Sequence, residues 1–120
     1  MSAPGSAPDI RIETPATIHD WMVRGEAVLI DVREPQEWAQ ARIPGAVLLP
    51  LSGFDPALVP ALVGVPPGKK LVFHCRSGVR CGAAAELLAA SGLAPQDGPI
   101  HRLGGGILAW AQAGLPIEQG

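Results

Sequence analysis

A cysteine directly follows an apolar segment in the stretch LVFHCRSGVRC, residues 71–81. The small residues Ser77 and Gly78 come next, and glycine adopts backbone angles that other residues resist. A loop of this kind can turn successive backbone N–H groups toward the cysteine sulfur. Together with the N-terminus of a following helix, these groups form an anion site. We therefore predict that Cys75 is a nucleophile with a lowered pKa that faces an anionic substrate.

Two arginines add positive charge to this loop, Arg76 and Arg80. Positive charge stabilises a thiolate, and the same charge attracts an anionic donor. We assign both to the site, with Arg80 at the junction of loop and helix. If Arg76 projects outward, we expect it to screen acceptors. The predicted anion-binding loop consists of Arg76, Ser77, Gly78, Val79 and Arg80.

Two chemistries use a cysteine in such an anion cradle: phosphate-ester hydrolysis through a phosphocysteine, and sulfur transfer through a persulfide. In cysteine phosphatases, five residues separate the cysteine from an arginine. Here only four residues separate Cys75 from Arg80, and the next position is Cys81. The shorter loop predicts a tighter pocket, which suits one additional sulfur atom better than a tetrahedral phosphoryl group.

Composition excludes several other classes of function. The net charge is −2 with no basic run, so we expect no nucleic-acid partner. No apolar stretch approaches the ~20 residues that span a bilayer, and the N-terminus does not have the pattern of a signal peptide. With two cysteines and three scattered histidines, a metal site is not expected. The low cysteine count favours a reduced, cytoplasmic setting.

Apolar segments alternate with helical ones along the chain, which predicts an α/β fold with a mainly parallel sheet and one domain, residues 9–118, after a disordered tail, residues 1–8. The predicted strands are 28–32, 46–50, 71–75 and 99–103. A helix over 79–91 ends at Gly92 and is apolar nearly all round, so we expect it to be largely buried. Sites in such folds lie at the carboxyl ends of the strands, where Asp31, Cys75 and the glycines 104–106 converge.

Four segments together identify a resemblance to the single-domain rhodaneses, which are sulfurtransferases. They are VLIDVREPQEW (28–38), RIPGAVLLP (42–50), VFHCRSGVRC with its helix (72–91) and HRLGGGILAW (101–110). The resemblance covers residues 14–117, nearly the whole chain. It implies a small α/β domain with a central parallel sheet, and the loop from Cys75 to Arg80 has the length found in sulfurtransferases.

The resemblance also implies a mechanism in two steps. The Cys75 thiolate takes the outer sulfur of a donor such as thiosulfate, and a thiophilic acceptor, cyanide or a thiol, then removes it from the Cys75 persulfide. No metal or organic cofactor is required. The sequence departs from the family pattern at Arg42, where many members have histidine, and at Cys81, where many have a small residue such as serine.

Supporting residues are assigned more simply. Asp31 and Arg33 are predicted to form a structural hydrogen-bonded pair, and the resemblance makes Arg33 a candidate for the rim of the pocket. Arg42 and His74 are candidates for supporting the pocket, and we expect His74 to be held at the strand end rather than to act as a base.

We expect Cys81 to be a packed thiol, and Glu34 and Glu37 to be surface charges at a helix start. Two interpretations of the three glycines stay open: a strand-to-helix turn only, or a close approach of the backbone to the loop. Two rival functions remain open. One is a persulfide-carrier or regulatory module with a protein partner, and the other is a cysteine phosphatase or arsenate reductase.

Overall fold

The computed structural model describes residues 9–63, 69–93 and 99–119, so the predicted tail, residues 1–8, lies outside the described residues. The elements in chain order are β1 (Ile10–Glu13), α1 (Pro15–Val23), β2 (Ala27–Asp31), α2 (Pro35–Gln40), β3 (Ala41–Arg42), β4 (Val47–Leu48), α3 (Leu58–Val63), β5 (Lys70–His74), α4 (Val79–Ser91), β6 (Ile100–Leu103), α5 (Gly106–Gln112) and β7 (Glu118–Gln119). A 3₁₀ turn, Leu51–Gly53, lies between β4 and α3.

The centre of the molecule is a five-stranded sheet in the order β1-β6-β5-β2-β4, and every neighbouring pair is parallel. Side chains alternate between the two faces of the sheet. In β5, Leu71 and Phe73 belong to a core layer with α3 and α4, whereas Val72 belongs to a second layer with α1 and α5. The predicted α/β fold with helices on both faces is therefore confirmed.

The four predicted strands are all present, and their boundaries shift by one or two residues. Two sets of strands were not predicted. The edge strand β1 pairs with β6, and its Ile12 is exposed, so β1 lacks the continuous apolar character of a central strand. The two-residue strands β3 and β7 form an antiparallel ribbon across 76 positions of sequence, which no local pattern predicts.

Helix α4 spans residues 79–91 and ends at the left-handed Gly92, as predicted. The expectation that it is largely buried was wrong. Its buried residues are Cys81, Ala84, Ala85 and Leu88. Val79 is 78% exposed, because α4 covers the sheet at β5 and β6 as an outer layer with one face toward solvent. Among the described residues, no helix has both the length and the apolar character needed to cross a membrane.

Three strand ends determine where the loops meet. β2 ends at Asp31, β5 at His74 and β6 at Leu103, and all three strands run in the same direction. The segments that follow these ends therefore emerge at one edge of the sheet, which is where a ligand site is expected in this architecture.

Candidate active site

Cys75 follows β5 immediately and begins the predicted loop, in which it is only 1% exposed. The backbone N–H of Gly78 donates a hydrogen bond to Cys75 Sγ at 3.1 Å. Gly78 has a φ of +110°, a conformation that residues with a Cβ rarely adopt, and it directly precedes the first turn of α4. The curled loop therefore directs backbone donors at the sulfur, as the sequence predicts.

These donors lower the pKa of Cys75 to about 5. The largest cause is a hydrogen bond from the Cys81 side chain to the thiolate, which outweighs the desolvation that raises the pKa. Backbone N–H groups of Cys81, Gly78 and Ser77 add smaller contributions in the same direction. At neutral pH, Cys75 is therefore a thiolate that needs no neighbouring base to activate it.

Cys81 lies fully buried in the core layer beneath the loop, and both cysteines are free thiols. Hydrogen bonding to Cys75 and burial raise the pKa of Cys81, so it remains a neutral S–H group. The Cys81 S–H donates a hydrogen bond to the Gly78 carbonyl oxygen at 3.3 Å, and the same oxygen accepts a hydrogen bond from Arg102. Cys81 is thus the packed thiol that was predicted, and its side chain influences the pKa of Cys75.

Arg80 is at the junction of loop and helix, where it was predicted, but its guanidinium is already engaged. Its two terminal nitrogens donate to the two carboxylate oxygens of Glu37, at 2.6 and 2.9 Å. Glu37 Oε1 also accepts the backbone N–H of Glu34 at 3.0 Å, at the start of α2. The bond from Arg80 holds the pKa of Glu37 down to about 2. Glu37 lies in the first turn of α2, as predicted, but it is only partly exposed and pairs with the loop instead of facing solvent as a free charge.

Asp31 and Arg33 form the predicted structural pair. Arg33 Nε and Nη2 donate to the Asp31 carboxylate at 2.8–3.0 Å, and the Arg33 backbone N–H donates to the same carboxylate at 2.9 Å. Nη2 also donates to the carbonyl oxygen of Ala41 at 2.6 Å. Because Arg33 is buried in these contacts, it does not lie at the rim of the pocket, and that expectation was wrong.

His74 is fully buried at the end of β5. Its Nε2 lies 3.5 Å from Asp31 Oδ2, and its Nδ1 lies 3.3 Å from the carbonyl oxygen of Cys75. Burial lowers the pKa of His74, which favours the neutral ring. The imidazole contacts the backbone of the nucleophile and not its sulfur, in accord with a positioning role.

The remaining predicted residues are distributed around the loop or away from it. Arg76, Ser77 and Val79 are exposed on the outer side of the loop. Arg42 lies in the β3–β7 ribbon, where its Nε donates to Glu118 Oε1 at 3.2 Å and its guanidinium covers the Trp38 ring. The polar contacts of Arg42 are therefore with the ribbon and with α2.

The start of α5 supports the loop from below. The backbone N–H groups of Ile107 and Leu108 donate to the carbonyl oxygens of Cys75 and Arg76, at 2.9 and 3.2 Å. A Cβ on Gly106 would clash with both of these carbonyls. The glycines therefore provide the close backbone approach that was one of the two expectations for them.

Arg102, on β6, is a site residue that sequence reasoning missed. Its Nη2 donates to the Gly78 carbonyl oxygen at 2.5 Å and would lie 2.9 Å from a Cβ on Gly82. The position of the Arg102 side chain therefore requires a glycine at position 82 in α4. Its hydrogen bond holds Gly78, whose N–H donates to Cys75 Sγ. An arginine within an apolar strand is a local signal of such a role, because a partly buried guanidinium requires hydrogen-bond partners.

Comparison with known proteins assigns the chain to a family. The model of the rhodanese-like domain matches residues 14–113. The chain belongs to the rhodanese-like family. Within the described residues, the rhodanese-like domain contains no group of three His, Cys, Asp or Glu side chains able to hold a metal ion.

Individual relatives agree with this assignment. The domain is 40% identical over 102 residues to an uncharacterized protein of Synechocystis, and 39% identical over 93 residues to a sulfurtransferase of Allochromatium vinosum. These alignments cover 85% and 77% of this chain, and 52% and 78% of the relatives. A crystal structure of thiosulfate sulfurtransferase from Pseudomonas aeruginosa superposes with a TM-score of 0.73 at 30% identity, over 95% of this chain and 20% of that chain. The chain thus spans about half the length of the Synechocystis relative.

Proposed function

We propose that this protein is a sulfurtransferase that moves sulfane sulfur through a persulfide on Cys75. In the first step the Cys75 thiolate attacks the outer sulfur of thiosulfate or of a persulfide, and sulfite or a thiolate leaves with the electron pair of the broken S–S bond. In the second step a thiol or cyanide attacks the terminal sulfur, and Cys75 leaves as the thiolate. The sulfur is carried covalently, so no cofactor is required.

The observation that carries this proposal is the stabilised Cys75 thiolate in a six-residue loop of a rhodanese-like domain. The low pKa of Cys75 makes it the nucleophile of the first step and a good leaving group in the second. The Gly78 N–H, 3.1 Å from this sulfur, is positioned to hold the negative charge that returns to it. Because Cys75 is nearly covered by the loop, a slender sulfur chain suits this site better than a bulky ester.

Intact mass spectrometry tests the proposal. Reduced protein is mixed separately with thiosulfate and with glutathione persulfide, beside a Cys75→Ser control. We expect a gain of one sulfur atom that is absent in the control and is lost on addition of cyanide or a thiol. If neither donor loads the wild-type protein, the proposed function is wrong.

A second function is a carrier or regulatory module that passes sulfur to a protein partner. The observation in its favour is that the chain spans only half of the Synechocystis relative and a fifth of the Pseudomonas chain, so the domain occurs within longer proteins. A loaded Cys75 that resists cyanide and small thiols would favour this function. Hydrolysis of an aryl phosphate would instead support the phosphatase chemistry. For either sulfur-transfer function we propose a reducing, cytoplasmic setting, because a free Cys75 must persist between cycles.

A further inference from the structure

The ion pair between Arg80 and Glu37 bears on which sulfur donor the site accepts, an inference that rests on the proposed function. We propose that Glu37 is a specificity-determining residue. By holding the Arg80 guanidinium, it makes Cys75 favour donors with little charge beside the transferable sulfur, such as perthiols, over the dianion thiosulfate.

The geometry leaves Arg80 little capacity for a second anion. The contact with Glu37 is bidentate, at 2.6 and 2.9 Å, and such a fork uses the two guanidinium nitrogens best placed to bind a donor. Glu37 is itself anchored, because its Oε1 accepts the Glu34 N–H at the start of α2. The carboxylate is therefore held by the backbone of a helix and is not a loose counter-ion that a substrate displaces freely.

The other arginines near the loop differ in whether a carboxylate balances their charge. Arg33 is buried against Asp31, and Arg102 donates to the Gly78 carbonyl oxygen. Arg76, on the exposed side of the loop, forms no ion pair within the described ranges 9–63, 69–93 and 99–119. The loop thus presents the negative Cys75 thiolate and a neutralised Arg80 to an incoming donor, while Arg76 and Arg102 keep their positive charge.

The two donors place different demands on this arrangement. With thiosulfate, the Cys75 thiolate approaches a dianion, the S–S bond breaks, and sulfite leaves as a dianion. With a protonated perthiol, RS–SH, the thiolate takes the outer SH group and a monoanionic thiolate, RS⁻, leaves. Both steps conserve charge and atoms, but the first concentrates more negative charge beside Cys75. Positive charge near Cys75 therefore accelerates transfer from thiosulfate more than transfer from a perthiol. The Glu37 carboxylate reduces this advantage by neutralising Arg80.

The test compares donors within each variant. Rates of Cys75 persulfidation by thiosulfate and by glutathione persulfide are measured by mass spectrometry for the wild type and for Glu37→Gln. The ratio of the two rates removes any common change in the reactivity of Cys75. We expect Glu37→Gln to raise the ratio of thiosulfate to persulfide loading by tenfold or more, and a further Arg80→Gln change to reverse most of this gain.

Glu118→Gln is the matched control, since it makes the same chemical change in the Arg42 pair of the β3–β7 ribbon. Its donor ratio should equal that of the wild type. The inference is overturned if Glu37→Gln loads from glutathione persulfide normally with an unchanged ratio, or if the wild type already loads faster from thiosulfate. Failure of both donors on the wild type would instead overturn the proposed function, so the two failures are distinguishable.

Discussion

The segment DVREPQEW, residues 31–38, supplies the acidic residue of two ion pairs with arginine, and the two pairs differ in burial. The inner pair, Asp31 and Arg33, has side-chain exposures of 0% and 5% and forms within three residues of the chain. The outer pair, Glu37 and Arg80, has exposures of 25% and 32% and joins positions 43 residues apart. Both are bidentate, so burial and not geometry distinguishes them.

The difference in burial gives the two ion pairs different consequences when one member is lost. A buried pair that loses one member leaves an uncompensated charge in the interior, so its members cannot change partners at low cost. A pair at the edge of the active-site loop is partly solvated, so losing its partner costs little and changes the charge that a substrate meets. The inner pair therefore stabilises the strand ends, and the outer pair is suited to adjusting the site.

The largest expected effect is that of Asp31→Asn, which breaks the inner pair. The variant should lose about 3–5 kcal/mol of the free energy of unfolding, because it leaves the buried Arg33 guanidinium without a countercharge. Urea denaturation measures this loss. An unfolding free energy within 1 kcal/mol of the wild type would show that the interior at Arg33 is better solvated than its burial indicates.

An intermediate effect is expected from removing the Cys81 side chain, which belongs to neither ion pair. Cys81→Ala removes the largest cause of the low pKa of Cys75, so this pKa should rise from about 5. A hydrogen bond to a charged group contributes about 1.5–3 kcal/mol, which corresponds to a rise of roughly one to two pKa units. Because only the thiolate reacts, the pH midpoint of iodoacetamide alkylation should move upward by this amount.

Cys81→Ser is the matched control for that shift, since its hydroxyl retains a donor. Its alkylation midpoint should remain near that of the wild type, and sulfur transfer should be largely intact. Equal midpoints for the alanine and serine variants would show that the backbone N–H groups alone stabilise the Cys75 thiolate.

The smallest expected effect is the change in stability on breaking the outer pair. Glu37→Gln should alter the free energy of unfolding by about 1 kcal/mol or less at neutral pH, because the pair is partly exposed. The hydrogen bond from Arg80 lowers the pKa of Glu37, so the pair stabilises the folded state above the ordinary pKa of a glutamate and loses this contribution as the pH falls through the lowered pKa. Wild-type and Glu37→Gln unfolding curves should therefore converge in acid. A loss as large as that of Asp31→Asn would remove the distinction between the two pairs.

Sequence patterns predicted the parts of the molecule whose interactions are local. The loop from Cys75 to Arg80 and helix α4 are contiguous, so loop length, Gly78 and Gly92 were sufficient to predict them. The prediction that α4 is largely buried was wrong, because its composition does not reveal that only one face meets the sheet. Strand β1 was missed for a related reason, since an edge strand need not be apolar along its length.

The sequence by itself determined the α/β class, the position of Cys75 at the end of a strand, and the loop that lowers the pKa of Cys75, because neighbours in the chain supply those groups. Only the tertiary structure decided that Arg80 pairs with Glu37, that Arg102 on β6 donates to the Gly78 carbonyl oxygen, and that Arg42 pairs with Glu118. Charge and hydrogen-bond partners are chosen by proximity in space, and residues 24 to 76 positions apart become neighbours only when the sheet assembles.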